Sequence, residues 1–306
     1  MDKHIFEYTG ENKLEKYARS IGIKKYKKDY VSKLVIPIAT QIFQKHKSIK
    51  GTIKIYISGG QGSGKSVLSK FLKYFLVNRF NIKVADFSID DLYLSKNSRK
   101  KLSKKVHPLL ITRGVPGTHN VSNGIKIIKR LTSNKHETII PVFSKLDDEI
   151  APRKLWRKFY GIPDVILFDG WCVGAEAQKE KHWREPINSL EKRFDRDGKW
   201  SKWVNKQLSG EYNQLFNMFD SSIYILVKNF KKIIKNRWQQ EITNKNIDRK
   251  SQKSGFNNLD EIKNFAMHFE RITSEMTDYM PKKSDVVIKR EGKKNFIILK
   301  NQIMKY

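Results

Sequence analysis

The feature that most constrains the fold of this chain is a glycine-rich octapeptide between a strand-like and a helix-like segment. It matches the pattern GxxxxGK[ST] at every defined position and consists of Gly59, Gly60, Gln61, Gly62, Ser63, Gly64, Lys65 and Ser66. Apolar residues alternate over 52–58, which is strand periodicity, and residues 67–76 have helical apolar spacing. Strand, glycine loop and helix are the context that this pattern requires. The octapeptide therefore predicts a phosphate-binding loop in an α/β sheet.

The chemistry of the octapeptide indicates a bound nucleoside triphosphate. Glycines let several backbone N–H groups turn towards an anion, and the helix N-terminus adds positive potential. Lys65 is expected to reach the β- and γ-phosphates, and the Ser66 hydroxyl is expected to ligate Mg²⁺. All eight residues are therefore candidate nucleotide-binding residues.

Composition limits the class of protein. The 306 residues suit a single α/β domain over 1–306. No apolar run is long enough to cross a membrane, and no apolar stretch of a secretory signal follows Met1. The one cysteine, Cys172, excludes an internal disulfide and a zinc site built from several cysteines. We expect a cytoplasmic protein without a membrane partner.

The charge balance points to polyanions but not to a specific partner. Lysine and arginine number 62 against 31 aspartate and glutamate, which gives a net charge of +31. So large an excess attracts polyanions without specificity. The lysines are spread along the chain, and no signature of a nucleic-acid-binding module accompanies them. We expect no specific nucleic-acid partner, and a nucleic-acid-associated ATPase remains an alternative.

Apolar runs alternating with helical patterns predict a doubly wound, mainly parallel sheet with helices on both faces. Predicted strands lie at 52–58, 82–89, 137–143, 164–169 and 222–227, with a C-terminal pair at 285–289 and 295–299. We also predict a helical segment over 1–50, a helical insertion over 175–215, a lid over 230–258 and an amphipathic helix from Ile262 to Met276. Ligands in such sheets bind beyond the carboxyl ends of the strands.

Acidic residues follow two of these strands. Asp90 and Asp91 come after the second strand, where a carboxylate can accept a hydroxyl proton, bind Mg²⁺ through water, or cap a helix. Asp169 follows four apolar residues in the fourth strand, the Walker B arrangement that holds Mg²⁺ or its water shell. Beside a phosphate-binding loop, we interpret these carboxylates as part of a phosphoryl-transfer site.

Two further segments carry cations. Arg113 to His119 joins glycines and a proline to a cation and an imidazole, a composition that can clamp a small anion. A surface or helix-capping role for His119 is equally open. Arg237 lies on a predicted helix after the fifth strand, from which it could reach the nucleotide phosphates.

These segments, in this order, resemble the D-glycerate 3-kinase family of P-loop kinases, a group that includes phosphoribulokinase, uridine kinase and bacterial pantothenate kinase. The resemblance covers roughly residues 30 to 290. The segments that carry it are Ser58–Ser66, Ser88–Leu94, Arg113–His119, Ile166–Trp171, Asn205–Leu208, Arg237–Glu241, Phe269–Thr273 and Tyr279–Pro281.

The resemblance implies ATP, Mg²⁺ and transfer of the γ-phosphoryl group to a hydroxyl of a small organic acid, with D-glycerate as the first candidate. It makes Asp90 the base and Asp91 its less certain neighbour. It also implies that Arg113, His119, Lys145 and Arg153 bind substrate or phosphate. A nucleoside, pantothenate or a sugar phosphate remains an alternative acceptor.

Three positions depart from the family pattern. Asn120 replaces the aspartate after the loop histidine, and Ser144 replaces the aspartate or asparagine before Lys145. Asp169 replaces a glutamate and is one methylene shorter, so metal coordination could go through water. These changes bear on the identity of the acceptor.

Overall fold

The computed structural model of the chain describes residues 11–23, 26–179, 185–247, 256–292 and 295–303. Its strands are β1 (Ile53–Gly59), β2 (Val84–Ser88), β3 (Glu137–Ile140), β4 (Phe143–Ser144), β5 (Glu149–Ile150), β6 (Arg157–Tyr160), β7 (Val165–Gly170), β8 (Ser221–Leu226), β9 (Val286–Arg290) and β10 (Phe296–Asn301).

The α-helices lie before β1 and in several of the connections between later strands. They are α1 (Glu11–Ser20), α2 (Lys28–Tyr30), α3 (Ile36–Ser48), α4 (Lys65–Phe80), α5 (Lys96–Lys105), α6 (Val121–Ser133), α7 (Ser189–Phe194), α8 (Lys199–Gln207), α9 (Asn213–Phe216), α10 (Phe230–Ile247), α11 (Leu259–Met267) and α12 (Glu270–Lys283). A π-helical turn over Val31–Val35 joins α2 to α3, and another over Leu208–Tyr212 joins α8 to α9.

A six-stranded sheet in the order β10-β9-β8-β1-β7-β2 forms the centre of the fold. The strands from β9 to β2 run parallel, and β10 pairs antiparallel at the edge. The registers place Ser58 beside Gly170 and Ser88 beside Asp169. The carboxyl ends of β1, β7 and β2 therefore meet at one edge of the sheet, where ligands of such sheets bind.

Helices cover both faces of this sheet because its strands are apolar on both sides. Ile53, Ile55 and Ile57 of β1 join one buried cluster with α1, α3 and α4. Ile166 and Phe168 of β7 belong to a second cluster, with α6, α8 and α12. Runs that are buried on both faces are typical of parallel sheets. The structure confirms the predicted α/β fold with a mainly parallel sheet between two helical layers.

The prediction of the third strand, residues 137–143, was wrong in one respect. A strand forms at β3, but it pairs antiparallel with β6 in a separate two-stranded sheet, and β4 pairs with β5 in another. The four residues of β3 alternate between half-buried and buried, so only one face packs against the core. Such alternation is typical of an antiparallel hairpin and not of a central parallel strand.

The segments that we predicted to be helical contain helices where the structure describes them, but the boundaries differ from the predicted ones. The described part of 175–215 contains α7, α8 and α9, and residues 180–184 lie outside the described ranges. The amphipathic segment forms two helices, α11 and α12, with a break at His268 and Phe269. Of the predicted lid, α10 is described, whereas 248–255 lies outside the described residues. Among the described helices, none has both the length and the apolar character that crossing a bilayer requires.

Candidate active site

The glycine-rich loop, Gly59–Ser66, connects β1 to α4, and α10 packs closely over it. Gly62 has φ +69°, and a Cβ atom there would lie 2.9 Å from the backbone carbonyl carbon of Asn236. A Cβ atom at Gly60 would lie 2.7 Å from Cδ1 of Ile233. Gly62 is required because its backbone is left-handed and in contact with α10, and Gly60 is required because a side chain there would collide with Ile233.

The loop has the groups that a triphosphate needs. Lys65 Nζ folds back to donate to the carbonyl oxygen of Gly60 at 3.4 Å, and burial lowers the pKa of this lysine. Within the described residues, the buried hydroxyl of Ser63 has no hydrogen-bond partner. A phosphate oxygen can satisfy such a hydroxyl, so the loop fits a bound phosphate.

Ser66 and Asp169 form the candidate magnesium site. The Ser66 hydroxyl donates to Oδ2 of Asp169 at 2.6 Å, because β1 and β7 are neighbours and end together. Burial raises the pKa of Asp169 to about 6, although the Ser66 hydrogen bond and the Lys65 charge oppose this rise. Magnesium prefers one or two protein oxygens together with phosphates and water. The pair therefore fits Mg²⁺.

Asp90 lies on a 3₁₀ turn, Ile89–Leu92, directly after β2. Its Oδ2 atom accepts from Lys145 Nζ at 2.6 Å, and its Oδ1 atom accepts from the Tyr93 hydroxyl at 2.7 Å. Burial disfavours the carboxylate, but Lys145, Tyr93 and Lys65 outweigh burial and hold the pKa of Asp90 below its ordinary value. Asp90 is therefore ionised at neutral pH.

Asp91 has different contacts from Asp90. Its Oδ2 atom accepts the backbone N–H of Ser88 at 2.9 Å and Nη2 of Arg157 at 2.6 Å. Ser88 in turn accepts the Asp90 N–H at 3.2 Å, which completes a capping box around the 3₁₀ turn. The catalytic prediction for Asp91 remains a prediction, and its contacts favour a role in fixing the turn that carries Asp90.

A cavity of about 200 Å³ opens between α4 and the end of β2. Its charged lining combines four carboxylates with three cations, which are Asp86, Asp90, Asp91 and Asp169 with Lys70, Lys145 and Arg157. Ser66 lies on its wall as well, so the candidate base and the candidate metal ligands share one cavity.

Backbone pairing places His119 beside Tyr93, the residue whose hydroxyl donates to Asp90. The N–H of Leu94 donates to the Thr118 carbonyl oxygen at 2.9 Å, and the N–H of Asn120 donates to that of Leu92 at 2.7 Å. The His119 ring therefore stacks on the Tyr93 ring, with 4.7 Å between centroids. Burial lowers the pKa of His119 to about 4, so the imidazole is neutral near neutral pH.

The predicted cationic residues separate into two groups. Lys145 lines the cavity and forms an ion pair with Asp90. Arg113 forms an ion pair with Asp148, and Arg153 is exposed on a turn outside the cavity lining. Arg237 lies on α10, over the glycine loop, and its Nη1 atom donates to Glu241 at 2.7 Å.

Solved structures resemble this fold over most of its length. The D-glycerate 3-kinase from Cryptococcus neoformans var. grubii is 21% identical over 85% of this chain and 94% of its own, with a TM-score of 0.67. The YGR205w protein is 22% identical over 85% and 92%, with a TM-score of 0.63. A putative fructose transport system kinase from Silicibacter sp. TM1040 is 15% identical over 80% and 93%, with a TM-score of 0.54. The chain shares the fold of these structures, an α/β P-loop NTPase fold. Neither the protein-family models nor the curated proteins give a match.

Sequence reasoning missed several side chains that shape the candidate site. Arg157 pairs with Asp91, and the Tyr212 hydroxyl contacts the His119 ring. Arg290, at the end of β9, donates from Nη1 to the carbonyl oxygen of Gly62 in the glycine loop. None of the three lies in a motif of its own. Their roles come from strands and helices that reach the site through tertiary contacts.

Proposed function

We propose that the protein is an ATP- and Mg²⁺-dependent kinase that transfers the γ-phosphoryl group to a hydroxyl of a small organic acid, with D-glycerate as the acceptor. The observation that carries this proposal is the position of Asp90. It is an ionised carboxylate in the same cavity as Ser66 and Asp169, and only β7 separates its strand, β2, from β1, which leads into the phosphate-binding loop. A hydroxyl group of an acceptor bound in this cavity would lie between Asp90, the proposed base, and the phosphates of ATP bound at the glycine loop.

In the proposed mechanism Asp90 orients the acceptor hydroxyl and takes its proton. A carboxylate with a lowered pKa is a weak base, but phosphoryl transfer passes through a loose transition state that needs little proton transfer before the phosphoryl group moves. Lys145 keeps Asp90 ionised through its 2.6 Å contact. Bound Mg²⁺ supplies charge neutralisation at the β- and γ-phosphates.

Further cations balance the charge that the phosphates bring. Lys65 lies in the loop itself, and Arg237 lies on the helix that packs over the loop. Both can stabilise negative charge that spreads over the transferred group. The glycine loop holds the donor by backbone N–H groups, as the fold requires.

An acid acceptor is supported by the cations in the cavity and by the name of a structural neighbour. Lys145 and Lys70 line the cavity, and the neighbour from Cryptococcus neoformans is a D-glycerate 3-kinase. Arg113, which we predicted to hold the acid, is paired with Asp148 and is not part of the cavity lining. Lys145 is paired with Asp90 but lines the cavity with a largely exposed side chain, so Lys145 is the better candidate partner for the carboxylate. The buried single cysteine, Cys172, suits a reducing compartment such as the cytoplasm.

The test is a coupled ADP-release assay with a panel of acceptors and Mg²⁺. D-glycerate should give the highest kcat/KM, above uridine, pantothenate, fructose and a pentose phosphate. Turnover with one of the other compounds and none with glycerate would show that the proposed acceptor is wrong and that the proposed kinase activity is right. ADP release that is stimulated by RNA or DNA, steeply salt-dependent and unaffected by any small acceptor would instead support the nucleic-acid-associated ATPase suggested by the charge of +31.

A further inference from the structure

One nitrogen of His119 is buried without a partner. The residue is only 5% exposed, and among the described residues Nε2 has no hydrogen-bond partner. Its other nitrogen, Nδ1, lies 2.6 Å from the Tyr212 hydroxyl. Buried polar atoms are normally paired, and this one lies close to the proposed active site, where an oxygen atom of a ligand could pair with it.

The contacts of Tyr212 determine which nitrogen carries the proton. Its hydroxyl oxygen accepts the backbone N–H of Gly117 at 2.8 Å, and a phenol has one proton to donate. If that proton goes to Nδ1, only the Nε2–H group of His119 is left unpaired. If Nδ1 carried the proton instead, the phenol proton and the Nε2 lone pair would both be buried and unpaired. The first arrangement is favoured because it leaves fewer unsatisfied groups.

We propose that Tyr212 is a positioning residue that holds His119 as an uncharged Nε2–H donor towards an oxygen atom of the acceptor. This inference rests on the proposed kinase function. The imidazole stacks on Tyr93, whose hydroxyl donates to Asp90, so the donor lies one aromatic ring away from the base. An uncharged donor binds a hydroxyl or carboxylate oxygen and disfavours an ammonium group at this position.

The helical insertion packs against the loop of residues Arg113 to His119. A Cβ atom at Gly117 would lie 2.3 Å from the Trp203 ring and 3.0 Å from Cγ of Gln207, both on α8. Tyr212 follows in the π-helical turn after α8. The insertion therefore fixes both the backbone of the loop and the tautomer of its histidine.

Nitrogen NMR of the full chain with isotope-labelled histidine side chains tests the tautomer directly. The chain has seven histidines, and the His119→Gln variant identifies the His119 signals by their loss. We expect a protonated Nε2 and an unprotonated Nδ1 at neutral pH, and a mixture of tautomers in Tyr212→Phe. A protonated Nδ1 or a cationic ring in the wild type would overturn the inference. This readout needs no turnover, so it can fail while the kinase proposal stands.

Kinetics tests the contact with the acceptor. Tyr212→Phe should raise KM for the acceptor by about tenfold and leave KM for ATP unchanged, as loss of one aligned hydrogen bond implies. His119→Gln, which keeps an N–H donor, should bind the acceptor better than His119→Leu. The matched control is Tyr224→Phe, since Tyr224 is buried in the same core cluster but its hydroxyl contacts Thr277. Equal changes in Tyr212→Phe and Tyr224→Phe, or an equal rise in KM for ATP, would contradict the proposed role.

Discussion

Replacing Asp90 by asparagine removes one negative charge and little volume. The amide oxygen can still accept from the Tyr93 hydroxyl, but the amide N–H₂ group cannot accept from Lys145. General base catalysis contributes about 10²- to 10⁴-fold to a rate, which corresponds to roughly 3–5 kcal/mol of the activation barrier. We expect kcat to decrease by a factor within this range and the affinity for ATP to stay the same.

The structure also limits how much stability this variant loses. At the 2.6 Å separation of Asp90 and Lys145, an effective dielectric constant of about 20 gives an attraction of roughly 6 kcal/mol. The Lys145 side chain is 63% exposed, so solvent screening and side-chain entropy reduce the net value to about 1 kcal/mol or less. Urea unfolding should therefore show a folded variant, and the lost turnover cannot be assigned to unfolding.

Asp91→Asn is the matched control for this experiment. It keeps an amide oxygen that can accept the Ser88 N–H and hold the turn, but it loses the ion pair with Arg157, so we expect it to lose about 1–3 kcal/mol of unfolding free energy and to keep most of its turnover. Coupled ADP release and titration calorimetry with ATP measure the two variants side by side. If Asp90→Asn keeps wild-type turnover, or if both variants lose turnover equally, the assignment of Asp90 as the base is wrong.

Three further outcomes follow from other contacts. Asp169→Asn should raise the Mg²⁺ concentration needed for half-maximal activity at least about tenfold, because the variant loses the charged partner of Ser66. The pKa of His119 in the folded protein is about 4, below its usual 6.5. As the pH drops from 6.5 to 4, the imidazole is therefore protonated in the unfolded chain before it is protonated in the folded chain, and the stability of the fold decreases. The wild type should lose about 3 kcal/mol more of unfolding free energy than His119→Gln over this range, measured by urea unfolding. Glu191→Gln should cost about 3–5 kcal/mol of unfolding free energy, because it removes the negative charge that Glu191 places beside the buried guanidinium of Arg271.

Each of these outcomes has a direct check. An unchanged magnesium dependence in Asp169→Asn would remove this residue from the metal site. Parallel stability curves for the wild type and His119→Gln would mean that the imidazole is not held neutral. For the buried pair the control is Asp260→Asn, since Asp260 pairs with Lys263 on the surface and should contribute almost nothing. Equal losses in the two variants would contradict the cost assigned to burial.

The sequence was sufficient to predict where the glycine loop and Asp169 lie in the fold. The glycine loop and Asp169 are set by local pattern, because a strand, a turn and a helix start are all encoded within a few residues. Parallel pairing of β1 with β7 then brings Ser66 and Asp169 together. The position of Asp90 after β2 followed from the same argument.

The acceptor half could not be predicted in the same way. Arg157 reaches Asp91 from β6, a strand that the apolar pattern did not reveal, and Tyr212 reaches His119 from an insertion without any motif. Arg113 has a cationic side chain in a suitable loop, yet Asp148 neutralises it. Which partner a charged or polar group finds depends on tertiary packing, and periodicity in one segment contains no information about it.

The most direct test of the account is phosphorus NMR of the protein mixed with ATP, Mg²⁺ and D-glycerate. We predict that the ATP signals are replaced by those of ADP and of a phosphate ester of glycerate, at a rate that Asp90→Asn reduces. Release of inorganic phosphate without an ester would show an ATPase instead of a kinase. ATP that stays intact with every acceptor of the panel would contradict the account.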